Sequence, residues 1–136
     1  MIFAFNPAFT HVLLLRKSSP PWQVNQWNAP GGLVNKGETE IAGAAREMAE
    51  ETQIIASPSK LVFVLRFACC CDYNEHEIAI YGIVKPLREL KQACGVEREP
   101  VAVFRTDQLQ DTVRYVPHFL ALTIDRMKQR QRHRHS

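Results

Sequence analysis

The chain reads as an α+β domain in which a mixed β-sheet carries helices on its faces, an α/β/α sandwich. Three observations carry that expectation. Apolar runs of strand length recur at residues 1–5, 11–16, 61–71, 78–84 and 101–104. Helical spacing of apolar residues recurs at 39–52 and 116–127. A loop rich in turn formers, Ala29 to Glu38, leads directly into the first of those helices.

Bulk properties are those of one globular domain. A chain of 136 residues, 46% hydrophobic and 23% charged, is large enough for a core and requires no second domain. The formal charge of +3 is uneven, because Lys128, Arg130, Arg132 and Arg134 contribute four positive charges near the C-terminus. Residues 1–127 therefore hold 13 basic against 14 acidic side chains, close to −1. The body is not a basic nucleic-acid-binding surface. The expected organisation is a single domain at 1–127 and a basic, disordered tail at 128–136, the one part suited to a polyanion. No apolar run approaches a membrane span, and the N-terminus lacks the pattern of a signal peptide, so a cytoplasmic protein is expected. Cys69, Cys70 and Cys71 are consecutive and Cys94 stands alone. That is neither a disulfide framework nor a zinc pattern, and strand-buried thiols are expected.

In chain order, Met1 to Phe5 and His11 to Arg16 read as strands joined by a turn at Asn6-Pro7, with His11 at a strand end. Ser18 to Ala29, with adjacent prolines and two tryptophans, reads as loop. From Thr39 onward Ile41, Ala44, Ala45, Met48 and Ala49 recur at helical spacing. At roughly 100° per residue, Glu47, Glu50 and Glu51 share a narrow arc opposite Ile41, Ala45, Met48 and Thr52. Like charges so placed repel on an isolated helix, and clustered carboxylates suit a hard divalent cation. The residues alone leave two readings open, a metal site or a solvated acidic face with Arg46 as partner.

Gly32, Glu38, Arg46, Glu47, Met48, Glu50, Glu51 and Ile54 match the pattern G-x5-E-x7-R-E-U-x-E-E-x-G-U, with U a bulky aliphatic residue. The stretch thus resembles the signature of the Nudix hydrolases. It departs at Gln53, where the pattern has glycine, which bears on how the helix ends.

The resemblance implies a Nudix fold and hydrolysis of a nucleoside diphosphate linked to another group, usually a nucleoside triphosphate cleaved to monophosphate and pyrophosphate. It implies Mg²⁺ or Mn²⁺ held by Glu47, Glu50 and Glu51 with the Gly32 carbonyl, Arg46 orienting the carboxylates, and Glu38 steadying the loop. The water-activating base is left among Glu50, Glu51, Glu97 and Glu99. Arg16 is expected to face the substrate phosphates, Asn28 to read a base edge with its donor and acceptor, and Asp111 to face the nucleotide. Also carried are a dinucleoside-polyphosphate or RNA-cap hydrolase, the latter drawing on the basic tail, and a non-catalytic nucleotide-binding domain. The partner is a small nucleotide and no membrane, and the assembly is a monomer or homodimer.

Beyond the motif, Ser57-Pro58-Ser59 marks a loop. Leu61 to Cys71 and Ile78 to Val84 read as strands around a hairpin at 72–77, with Glu75, His76 and Glu77 at a polar tip. Poor alternation in the first strand suggests that both its faces are covered. Lys85 to Pro100 reads as a polar connection, Val101 to Phe104 as a short strand, and Val116 to Met127 as the last helix, with Pro117 in its first turn.

Overall fold

In the computed structural model, residues 1–32, 34–71, 74–96 and 98–134 are described, the side chains of 69–71 and 74–76 excepted. Glu97, Asp72 and Tyr73, and the side chains of Cys69 to Cys71, Glu75 and His76, lie outside the described residues.

Alternation fixes the layers. In β1 (Ile2–Phe5), Ile2 and Ala4 enter one core cluster, while Phe3 and Phe5 enter a second. β2 (His11–Arg16) divides likewise, with Leu13 to the first cluster and Val12 and Leu14 to the second. β1 pairs antiparallel with β2 and parallel with β5 (Asn74–Val84), making the sheet mixed. β2 is also antiparallel to β3 (Trp27–Asn28) and β6 (Val101–Arg105). β4 (Val62–Cys71) pairs only with β5 and forms an edge.

The first cluster receives Ala44 and Met48 from α1 (Glu40–Thr52) and Leu90 from α2 (Leu87–Lys91). The second receives Val116, Leu120 and Met127 from α3 (Val116–Arg134). Helices therefore cover both faces, as expected. α3 packs closely on β5 at Gly82, where an added Cβ would lie 2.8 Å from the Met127 sulfur.

α1 begins where its residues say it should: the Thr39 hydroxyl accepts the Ala42 N–H at 3.2 Å, and Glu40 stands in the positive first turn. At the other end Gln53 adopts the left-handed conformation, φ 64°, and donates its N–H to the Ala49 carbonyl at 2.9 Å. The turn expected of a glycine is thus kept by a residue for which it is strained. Thr52, fully buried, donates its hydroxyl to the Met48 carbonyl and accepts the Ile54 N–H, which ties that turn to the helix.

Five expectations are corrected, the last being the strand-buried thiol expected at Cys94. Lys128 to Arg134 continue α3 as an exposed helical end instead of a disordered tail, since lysine, glutamine and arginine are strong helix formers that need no burial to extend an existing helix. The hairpin is tighter than six residues: Glu77 pairs with Ala68 and Asn74 with Cys71, so the polar stretch is strand. β4 is not covered on both faces, for Phe63 is 44% exposed; its broken alternation comes from a register shift between Phe63 and Leu65. Within 85–100 a one-turn helix, α2, buries Leu90, too little apolar contact to leave a period in the sequence. Cys94 is exposed, and its N–H is bonded to the Thr52 carbonyl.

Candidate active site

Arg46 organises the acidic face of α1. Its guanidinium grips Glu38 through two hydrogen bonds, Nε to Oε2 at 2.9 Å and Nη2 to Oε1 at 3.1 Å. Nη1 bridges Glu47 Oε1 at 3.0 Å and Glu50 Oε2 at 3.1 Å. Hydrogen bonding to Arg46 holds the Glu38 carboxyl below its ordinary pKa, and Glu38 in turn raises that of Arg46. Glu38 also accepts the Asn35 N–H at 2.8 Å, so it clamps the loop to the helix as expected.

Glu51 turns the other way. Its Oε1 accepts the Gly31 N–H at 3.0 Å, and burial pushes its pKa up to about 7 against the opposing pull of Lys17 and that N–H. The Glu47 carboxylate lies close over Gly32: a Cβ there would lie 2.6 Å from its carboxyl carbon, so a larger residue would turn the Glu47 side chain aside. The Gly32 backbone therefore lies against the carboxylate expected to share a metal with it.

The donor set fits a hard divalent cation in its chemistry. Among the described residues, Glu47 Oε2, Glu50 Oε1 and Glu51 Oε2 make no hydrogen bond, while the partner oxygen of each is held by Arg46 or Gly31. Still, no three described acidic, histidine or cysteine side chains form a ready cluster for an ion. The reason is visible: Arg46 Nη1 lies between Glu47 and Glu50 and balances their charge, and Glu51 points to Gly31. Binding a cation requires these side chains to turn, with Glu38 retaining Arg46.

Gly31 and Gly32 are shared with a cavity of about 320 Å³ that runs between the loop, α1 and the sheet. On one side stand Lys17, Trp22, Gln23, Asn28 and Tyr115; on the other Glu40, Glu77 and Tyr81. Glu40 pairs with Arg66 and accepts a long hydrogen bond, 3.4 Å, from the Tyr81 hydroxyl, tying the start of α1 to β4 and β5.

The expected substrate residues are placed unequally. Asn28, 3% exposed, lines the cavity, yet its amide is engaged: Nδ2 donates to Gln23 Oε1 at 3.2 Å and to the Tyr115 hydroxyl at 2.9 Å, and Oδ1 accepts the Ala29 N–H at 2.8 Å. Arg16 is exposed and does not line the cavity; Lys17, one residue on, does. Alternation at the end of a strand sends neighbours to opposite sides, so an error of one position exchanges them. Asp111 is exposed, outside the cavity lining, with φ 54°, and its carbonyl accepts the Trp27 N–H at 2.9 Å. From that segment it is Tyr115 that reaches the cavity. Glu99 accepts from the Ser18 N–H at 2.9 Å and the Ser18 hydroxyl at 3.1 Å, with Lys17 Nζ at 3.8 Å, and its charge is felt by Glu51. Lys17, Gln23 and Tyr115 were not singled out from the sequence. Only the doubled proline and the two tryptophans marked that loop as a built feature.

Comparisons with known proteins bear on the family and the fold. The NUDIX domain model matches residues 1–123. A Mycobacterium tuberculosis protein named for 8-oxo-dGTP diphosphatase activity is 50% identical over 40 residues, and that match spans 29% of this chain and 28% of that protein. The fold is similar to that of a Caenorhabditis elegans Ap4A hydrolase binary complex (TM-score 0.69, 18% identity, 94% of this chain and 93% of that one). It is similar too to the NUDIX domain of Shewanella oneidensis NrtR complexed with ADP ribose (TM-score 0.72, 16% identity, 93% and 83%).

Proposed function

The chain belongs to the Nudix family, and from that premise we propose that it is a divalent-metal-dependent pyrophosphohydrolase. Its substrate is a nucleoside triphosphate, cleaved to the monophosphate and pyrophosphate. The observation that carries the reading is the junction at Gly31–Gly32, where the carboxylates of α1 meet a cavity within the usual volume of a small-molecule site.

In this reading Glu47, Glu50 and Glu51, with the Gly32 carbonyl, hold Mg²⁺ or Mn²⁺, which when bound neutralises phosphate charge and acidifies water. Arg46, anchored on Glu38, sets the carboxylate rotamers and keeps their mutual repulsion from opening the site. Lys17, which lines the cavity, attracts the phosphates, with the neighbouring Arg16 adding positive charge. Glu99 is the base outside the metal set: Ser18 fixes one of its oxygens and leaves the other without a hydrogen bond among the described residues. The nucleoside enters beside Asn28, with Trp22, 42% exposed, as a face for the base. Asp111, outside the lining, is joined to the segment that carries Asn28 through the Trp27 N–H and is proposed to face the nucleotide from there.

The test is product release, with and without Mg²⁺, from canonical and oxidised nucleoside triphosphates, dinucleoside polyphosphates, nucleotide sugars and capped RNA. Triphosphates are expected to turn over only with metal. Metal-dependent cleavage confined to dinucleoside polyphosphates or capped RNA would replace the substrate class, and nucleotide binding without any cleavage would replace the enzyme with a binding domain.

A further inference from the structure

One wall of the cavity is made by three polar side chains from separate segments: Gln23 in a single 3-10 turn, Asn28 at the end of β3, and Tyr115 just before α3. Their hydrogen bonds have a fixed direction. The Ala29 N–H can only donate, and it meets Asn28 Oδ1 at 2.8 Å, so the amide oxygen of Asn28 must face it. The NH₂ group is then turned to Gln23 and Tyr115, and both of its hydrogens are spent there.

Gln23 is ordered in consequence. Its Oε1 accepts from Asn28, which leaves Nε2 facing away with no hydrogen bond among the described residues, although the residue is only 8% exposed. No side-chain nitrogen or oxygen among the described residues is both sealed and unpaired, so this NH₂ group keeps an accessible face, and the cavity is the open space that Gln23 lines. The Tyr115 hydroxyl accepts from Asn28 and has its own hydrogen to give. Its acceptor is the Met1 sulfur at 3.8 Å, a weak one, and burial raises the phenol's pKa, so it stays a donor. The wall therefore offers donors and hides its acceptors.

We propose that Gln23 is a specificity-determining residue of this site, and that with Tyr115 it selects a base whose edge carries adjacent acceptors, O6 and N7 of guanine or O2 and N3 of cytosine. This rests on the nucleoside-triphosphate reading above. Asn28 acts as a positioning residue that sets the direction of the other two. The amine of adenine, the N3–H of uracil or thymine, and the N7–H that guanine gains on oxidation at C8 each bring a donor against a donor. A mismatched polar contact of this kind costs on the order of tenfold or more in affinity.

Equilibrium binding of GMP, CMP, AMP, UMP and 8-oxo-GMP to the full chain, followed by tryptophan fluorescence, needs no turnover and tests the proposal. GMP, CMP or both should bind at least about tenfold more tightly than AMP, UMP and 8-oxo-GMP, and the two leading arms decide between guanine and cytosine. Gln23→Met, which removes the donors at similar volume, should flatten the ranking to within about threefold. Asn28→Asp replaces the NH₂ with a second acceptor, turns the Gln23 amine inward and its oxygen to the cavity, and should move the preference toward AMP; a merely structural loss would weaken all five alike. Equal binding of all five by the wild type, or an unchanged ranking in Gln23→Met, overturns the proposal. Triphosphate turnover on the same preparation separates the outcomes: with cleavage intact only the proposal falls, and with neither binding nor cleavage the reading beneath it falls too.

Discussion

The two walls that meet at Gly31–Gly32 are built on opposite principles. The α1 wall is local: Arg46, Glu47, Glu50 and Glu51 lie within two turns of one helix, and their repulsion is balanced by one guanidinium. The cavity wall, which those four do not line, is assembled from Gln23, Asn28 and Tyr115, the last pair 87 residues apart in sequence, and is held by neutral hydrogen bonds in a largely buried setting. The first wall is charged, partly solvated and free to turn onto a cation. The second has its donors and acceptors fixed by one backbone N–H. In the proposed reading, chemistry that must respond to a ligand sits on the adaptable wall, and discrimination sits on the stiff one.

Loss of a carboxylate should separate the walls most sharply. Glu50 is 59% exposed and bonded only to Arg46 among the described residues, so Glu50→Gln should lower kcat by about a hundredfold or more while shifting Tm by less than about 2 °C. Steady-state kinetics beside thermal melting checks both; a large loss of stability would mean that the helix, and not the site, had failed.

Removing a hydroxyl from the stiff wall should do the reverse. Tyr115→Phe leaves one Asn28 amide hydrogen without its acceptor and should cost about 1–2 kcal/mol of stability, together with several-fold weaker nucleotide binding and a smaller change in kcat. Urea unfolding gives the first number. A stability loss near zero would show that the network is not tightly coupled to the fold.

The pH response tests the adaptable wall alone. In the metal-free protein the Glu51 carboxyl is raised to about 7, so the folded state holds a proton there that the unfolded chain releases near the ordinary value of 4.5. Folding is thus favoured below that window, and this contribution is lost as pH rises from 4.5 to 7. Mg²⁺ requires the carboxylate, so its affinity should climb with pH up to about 7 and then level off. Calorimetric titration of the metal at pH 6, 7 and 8 should show proton release that shrinks with pH and is absent in Glu51→Gln.

The smallest effect should come from the end of α1. Gln53→Gly relieves the cost of φ 64° and should stabilise the protein by roughly 0.5–1 kcal/mol with activity retained. A destabilising result would mean that the glutamine side chain makes up for its backbone.

The same contrast explains what the sequence disclosed. The three glutamates were legible because a helix turns linear spacing into a face, Glu38 and the role of Arg46 because they match a known motif, and β1 and β2 as apolar runs of strand length. Gln23 and Tyr115 were silent, since neither residue type nor spacing signals a partner brought close by the whole sheet. Arg16 was named from the resemblance, and Lys17, which lines the cavity, carried no signal of its own because strand parity near an end depends on where pairing stops. The helical end at Lys128 to Arg134 was masked by its charge, which composition scores as disorder while backbone propensity favours continuation.

In the proposed reading the α1 carboxylates direct metal-dependent cleavage at a defined bond. Phosphorus NMR of the products from one triphosphate, GTP, with the wild type and Glu50→Gln, tests it most directly. The account predicts GMP and pyrophosphate from the wild type with Mg²⁺, and unchanged GTP when metal is withheld or Glu50 is replaced. Formation of GDP and phosphate, or cleavage that persists in Glu50→Gln, would contradict it.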